Sequence, residues 1–140
     1  MKKQILILAI TLTAGVSSFA QCDKKNVLTA SSTEYLNSNN EVQKTVPEVT
    51  TVEYDSKSIT IMPGEQTMDG TISSVTCDWK TPYKEGKTVL KGTINNPRGE
   101  PMTCTVTIEG KDGKTSLLFE AVESPDMKIK ITLDKFEEKK

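Results

Sequence analysis

Three cysteines, a Gly-Lys-Asp-Gly-Lys-Thr run and scattered carboxylates are the residues with most chemical promise in this chain, which contains no histidine at all. The missing His removes the commonest general base, every Ser–His or Cys–His couple, and imidazole metal ligands. Cys22, Cys77 and Cys104 offer no Cys-x-x-Cys spacing, so nothing points to zinc or another metal. Gly110-Lys-Asp-Gly-Lys-Thr115 resembles a phosphate-binding loop, but that loop needs a glycine where Ile108 stands. The run is better read as a hairpin turn. Asp78 and Glu120 sit in strand-like segments opposite Cys77 and Phe119, so alternation turns both carboxylates toward water rather than into an inverting or retaining pair. No cofactor motif is present. The expectation is a protein with no catalytic residues, no metal and no cofactor.

The cysteines have a structural use in an oxidising compartment, and the start of the chain points to one. Met1-Lys-Lys-Gln is a basic opening, Ile5 to Val16 is apolar, and Ser18-Phe-Ala20 supplies small residues before a cut. Residues 1–20 read as a signal peptide, the apolar run being shorter than the ~20 residues a membrane span needs. Residues 21–140 then form a single exported domain, periplasmic or secreted, with no transmembrane segment. Lipidation at Cys22 is the lesser reading, because Gln21 and Phe19 depart from a lipobox. Removing the leader takes two lysines from 18 basic residues, leaving 16 against 19 acidic ones. That balance argues against nucleic acid as a partner.

Cys77 shares a face with Val75 and Trp79, and Cys104 with Met102 and Val106. Both point inward, and a Cys77–Cys104 disulfide is the natural pairing. Against it stands distance: one strand between theirs means about 10 Å, where a disulfide wants about 7 Å or less between Cα atoms. The alternative is two buried thiols acting as small hydrophobes.

The elements that position these residues are strands. Met102, Cys104, Val106 and Ile108 alternate with Thr103, Thr105 and Thr107; Met127, Ile129, Ile131 and Leu133 alternate with Lys128, Lys130 and Thr132. Such alternation predicts strands with one buried and one wet face, as in an antiparallel sheet. Further strands are expected over residues 87–94 and 115–122, a first long one over 27–36, a return over 42–54 interrupted by Pro47, and others over 58–62 and 71–79. The closing residues 136–140 read as a solvated end. About eight strands joined by short links predict an all-β antiparallel meander barrel, with a β-sandwich as the alternative.

The inward face comprises Leu90, Ile94, Met102, Val106, Ile108, Leu117, Phe119, Ala121, Ile129, Ile131 and Leu133. It either closes as a packed core or lines an apolar cavity. Tyr35, Tyr54, Trp79 and Tyr83 are candidates for a barrel mouth. The run from Val27 to Met62, with Thr-Val-Glu-Tyr-Asp-Ser-Lys-Ser-Ile-Thr-Ile at its end, resembles bacterial lipocalin-like domains in strand rhythm. That resemblance implies a small exported eight-stranded barrel. The expected function is non-catalytic binding of a small apolar or amphipathic ligand. The alternative is a protein-interaction or envelope accessory module acting through loops or a sheet edge.

Overall fold

The computed structural model describes Cys22 and residues 24–139; the leader expected over residues 1–20 lies outside the described residues. The protein is all-β. Eleven strands are described: β1 (Asn26–Ala30), β2 (Thr33–Leu36), β3 (Val42–Val46), β4 (Thr50–Tyr54), β5 (Ser58–Pro63), β6 (Met68–Thr81), β7 (Glu85–Asn95), β8 (Pro101–Lys111), β9 (Lys114–Ala121), β10 (Ser124–Thr132) and β11 (Lys135–Glu138). All belong to one antiparallel sheet in the order β11-β1-β4-β5-β6-β7-β8-β9-β10-β2-β3.

Three pairs of strands are consecutive pieces of one extended run. Ser31 and Ser32 separate β1 from β2, a break that the single strand expected over 27–36 did not include. Pro47 falls in the interruption between β3 and β4, as its missing N–H requires. Leu133 and Asp134 separate β10 from β11. β1 pairs with β4 and β11, whereas β2 pairs with β3 and β10. The register across the first and last runs is unbroken. Asn26 faces Glu138, Thr29 faces Lys135, Thr33 faces Ile131 and Leu36 faces Lys128. Asp134 N–H bridges the bend by donating to Thr29 O at 2.7 Å.

The strands expected over 87–94, 102–108 and 115–122 occur as β7, β8 and β9; β7 and β8 extend beyond the expected bounds at both ends, while β9 nearly matches its own. Two expectations are corrected. The tail is not merely a solvated end: residues 135–138 form β11, and Phe136 packs against the core. Met127 does not join Ile129, Ile131 and Leu133 inside. The β10 ladder slips register between Ser124 and Ile129, and Met127, within that slip, is 58% exposed.

Two turns share one construction. In Asn37-Ser-Asn-Asn-Glu41 and in Asn96-Pro-Arg-Gly-Glu100 the first Asn side-chain oxygen accepts two backbone N–H bonds, and its amide donates to the final Glu carboxylate. The fourth residue takes positive φ in both, Asn40 at 65° and Gly99 at 83°. These are the residue types that tolerate that conformation. At the opposite strand ends, Asp112 and Gly113, both at positive φ, form the two-residue β8–β9 turn.

Candidate functional site

The apolar faces of the strands build one continuous core, and its two ends differ. At the end near the β6–β7 turn, Trp79 is buried and lies across two glycines. A Cβ on Gly86 would come within 2.7 Å of Trp79 Cδ2, and one on Gly110 within 3.0 Å of its Cζ3. Only glycine leaves room for the indole there. Trp79 Nε1 donates to Thr88 Oγ1 at 2.6 Å, and that hydroxyl donates to Cys77 Sγ at 3.5 Å. Phe136 meets Trp79 and Tyr83 edge-on, at centroid distances of 5.5 and 4.8 Å. Tyr83 holds φ at 63°, costly for an aromatic side chain, and its hydroxyl donates to the buried Asn26 Oδ1 at 2.5 Å. Burial, above all, raises the Tyr54 hydroxyl pKa far above its ordinary value, with Asn26 and Thr88 hydrogen-bonded to it.

Cys77 is bridged here to Cys22, with Cα atoms 6.0 Å apart. The expected Cys77–Cys104 pairing is therefore corrected: Cys104 is a free, buried thiol, and desolvation pushes its pKa up to about 11. The geometric objection was sound, since β7 does lie between β6 and β8. The partner came from the N-terminal segment preceding β1, where no strand periodicity could place Cys22.

The other end of the inner face is not filled. A cavity of about 160 Å³ is lined by Val52, Ile61, Met68, Leu117, Phe119, Ile129 and Ile131, together with Thr33, Tyr35, Glu48, Thr50, Pro63, Gln66 and Pro97. Of the residues expected on the inward face, Leu117, Phe119, Ile129 and Ile131 line this cavity. Leu90, Ile94, Val106, Ile108, Ala121 and Leu133 are buried in the packed core, and Met102 is partly buried against it. The aromatic mouth is corrected as well: Tyr54, Trp79 and Tyr83 gather at the packed end, and only Tyr35 stands at the cavity.

Two polar features mark the cavity. The Thr33 and Thr50 hydroxyls meet at 3.3 Å, both residues being buried. Glu48 Oε1 is shielded from solvent and has no hydrogen-bond partner among the described residues. The Tyr35 hydroxyl pKa is raised by desolvation and by the Glu48 charge. Lys44 Nζ sits 5.6 Å from the Tyr35 ring centroid, and none of the described ion pairs engages Glu48. Sequence reasoning did not single out Glu48. It follows Pro47 in a strand interruption, where alternation assigns no face, and nothing else distinguished it from other carboxylates.

The outward carboxylates are where alternation put them. Asp78 is exposed, and Glu120 pairs with Lys128 at 3.4 Å. Among the described residues no group of three or more His, Cys, Asp or Glu could hold a metal ion, and no helix is long and apolar enough to cross a membrane. Comparisons with protein-family models, with curated proteins and with solved structures gave no match.

Proposed function

We propose that this is an exported, non-catalytic binding protein that holds a small apolar or amphipathic molecule inside a lipocalin-like meander barrel. The barrel reading rests on strand identity. The runs β1–β2, β3–β4 and β10–β11 reduce eleven segments to eight strands. The first of these pairs with the second on one side and with the last on the other. A sheet whose first and last strands are neighbours is the pattern of closure, and a single hydrogen-bonded sheet favours it over the sandwich. A periplasmic or secreted location fits the Cys22–Cys77 disulfide, which an oxidising compartment preserves. A sulfur held in that bridge cannot also carry a lipid thioether, so lipidation at Cys22 is not part of this reading.

The observation that carries the function is the cavity of about 160 Å³, whose lining is mostly apolar with a few polar side chains. An apolar cavity of about 150 Å³ can bind a benzene-sized guest. The test is native mass spectrometry of protein purified from its own export route, before and after solvent extraction, followed by titration with benzene-sized apolar probes. The expected result is a stoichiometric adduct, or saturable uptake of a probe by extracted protein. A bare mass together with no saturable uptake would overturn the reading.

The alternative, a protein-interaction module, is favoured by one feature. Among the described strands β3 pairs only with β2, leaving one edge open, and its first residue Val42 is 51% exposed. An open edge can accept an added strand from a partner. Shortening the Asn37–Glu41 turn and β3 should abolish partner capture on this reading, and leave ligand uptake intact on the first.

A further inference from the structure

The cavity does more than accept an apolar body, because one charged group inside it lacks a counterpart. A buried carboxylate oxygen without a donor is costly, and buried polar atoms in folded proteins are nearly always paired. Glu48 Oε1 is such an oxygen, on the lining of the cavity. The neighbouring polar groups do not serve it. Thr33 and Thr50 hydroxyls engage each other, Lys44 sits over the Tyr35 ring, and none of the described ion pairs reaches Glu48. The rest of the lining is apolar or, in Gln66, an exposed side chain.

We infer that the ligand is an amphipathic amine, whose ammonium donates to Glu48 Oε1 while one ring or a short alkyl chain fills the space between Ile61, Leu117, Phe119 and Ile131. This rests on the binding reading above and narrows its ligand class. The chemistry is specific in two directions. A carboxylate ligand would set a second negative charge against Glu48. A neutral hydrocarbon would fill the same volume and leave Oε1 unserved. A charge-assisted hydrogen bond is the strongest contact the lining can make with a guest of this size.

The experiment titrates solvent-extracted protein with phenethylamine, ethylbenzene and phenylacetate, by calorimetry and by amide chemical-shift changes. It is then repeated on Glu48→Gln. The amine should bind at least about tenfold more tightly than ethylbenzene, phenylacetate should not bind, and Glu48→Gln should erase the amine's advantage while leaving ethylbenzene unchanged. An unchanged melting temperature shows that the variant folds. If ethylbenzene binds as well as the amine, the cavity stands and the role of Glu48 falls, as it would if an ordered water satisfied Oε1. If neither enters, the cavity reading fails and takes the amine with it. An amine advantage that persists in Glu48→Gln also overturns the assignment.

Discussion

The two ends of the inner face use the same kinds of residue to opposite effect. At the packed end Trp79, Tyr83, Thr88, Asn26 and Phe136 satisfy one another, down to an indole N–H on a hydroxyl and a hydroxyl on a cystine sulfur. At the cavity end Tyr35, Thr33, Thr50 and Glu48 surround unfilled space, and one carboxylate oxygen is left over. Among the described residues the exposed large hydrophobics are Val42, Val49 and Val122, at strand ends and turns, and Met127, in the register slip of β10. One end is packed and hydrogen-bonded throughout; the other encloses unfilled space.

That contrast can be broken by paired truncations. Trp79→Ala should cost about 3–5 kcal/mol, since it removes the largest buried ring and takes one hydrogen-bond donor from the Thr88 hydroxyl. Tyr35→Ala should cost about 1 kcal/mol, because its half-buried ring borders space that is already empty. Urea denaturation of both variants checks this, and equal losses would show that the ends are built alike. The next largest effect is the bridge. Cys22→Ser/Cys77→Ser should lower stability by about 2–4 kcal/mol, through the 55-residue separation that the disulfide closes. Ligand uptake should survive at temperatures where the variant remains folded, and its loss there would tie the cavity to the far end.

Smaller effects sharpen the comparison at the cavity. Thr50→Val alone leaves the buried Thr33 hydroxyl without its partner and should cost about 1 kcal/mol. Thr33→Val/Thr50→Val removes both groups and should be nearly neutral. Chemical denaturation of the single and double variants decides it. The smallest effect lies back at the packed end. Asp55 accepts backbone N–H bonds from Lys57 and Ser58, which lower its pKa below the ordinary carboxylate value. A depressed pKa means that its contribution is complete above about pH 4 and is lost as acid titrates through the folded value. Asp55→Asn should therefore flatten a slight loss of stability below pH 4, read from melting curves between about pH 2 and 6.

Much of the fold was legible because most of the strands bury one face. Met102, Cys104, Val106 and Ile108 announce β8 by alternation alone, and Asp112-Gly113 announces its turn. What escaped depends on partners distant in sequence. Lys135-Phe-Glu-Glu138 has too few residues to show a period, and becomes a strand because β1 lies ready to pair with it. Met127 reads as inward until the register slip in β10 is known. Four of the fourteen cavity-lining residues were readable from apolar faces, but the emptiness was not: a packed face and a hollow one have the same period. Glu48 lies where the period stops, so its carboxylate could be located only once β3, β4 and the loop around Gly64 were folded around it.

The unbroken ladder between the first and last runs also sets the order of events in folding. Asn26 meets Glu138, and Lys139 N–H donates to Lys25 O at 2.8 Å, so the first and last described strands are neighbours. Those contacts span nearly the whole sequence, and contacts of that separation form slowly. A chain emerging residue by residue can pair β1 with β4 early, but the other edge of β1 stays open until the final four-residue strand arrives. A short linker joining Lys139 to Cys22, which keeps the Cys22–Cys77 bridge, with new ends opened at the exposed Pro97–Gly99 turn, would turn the β1–β11 pairing into a local one and should speed that step of folding.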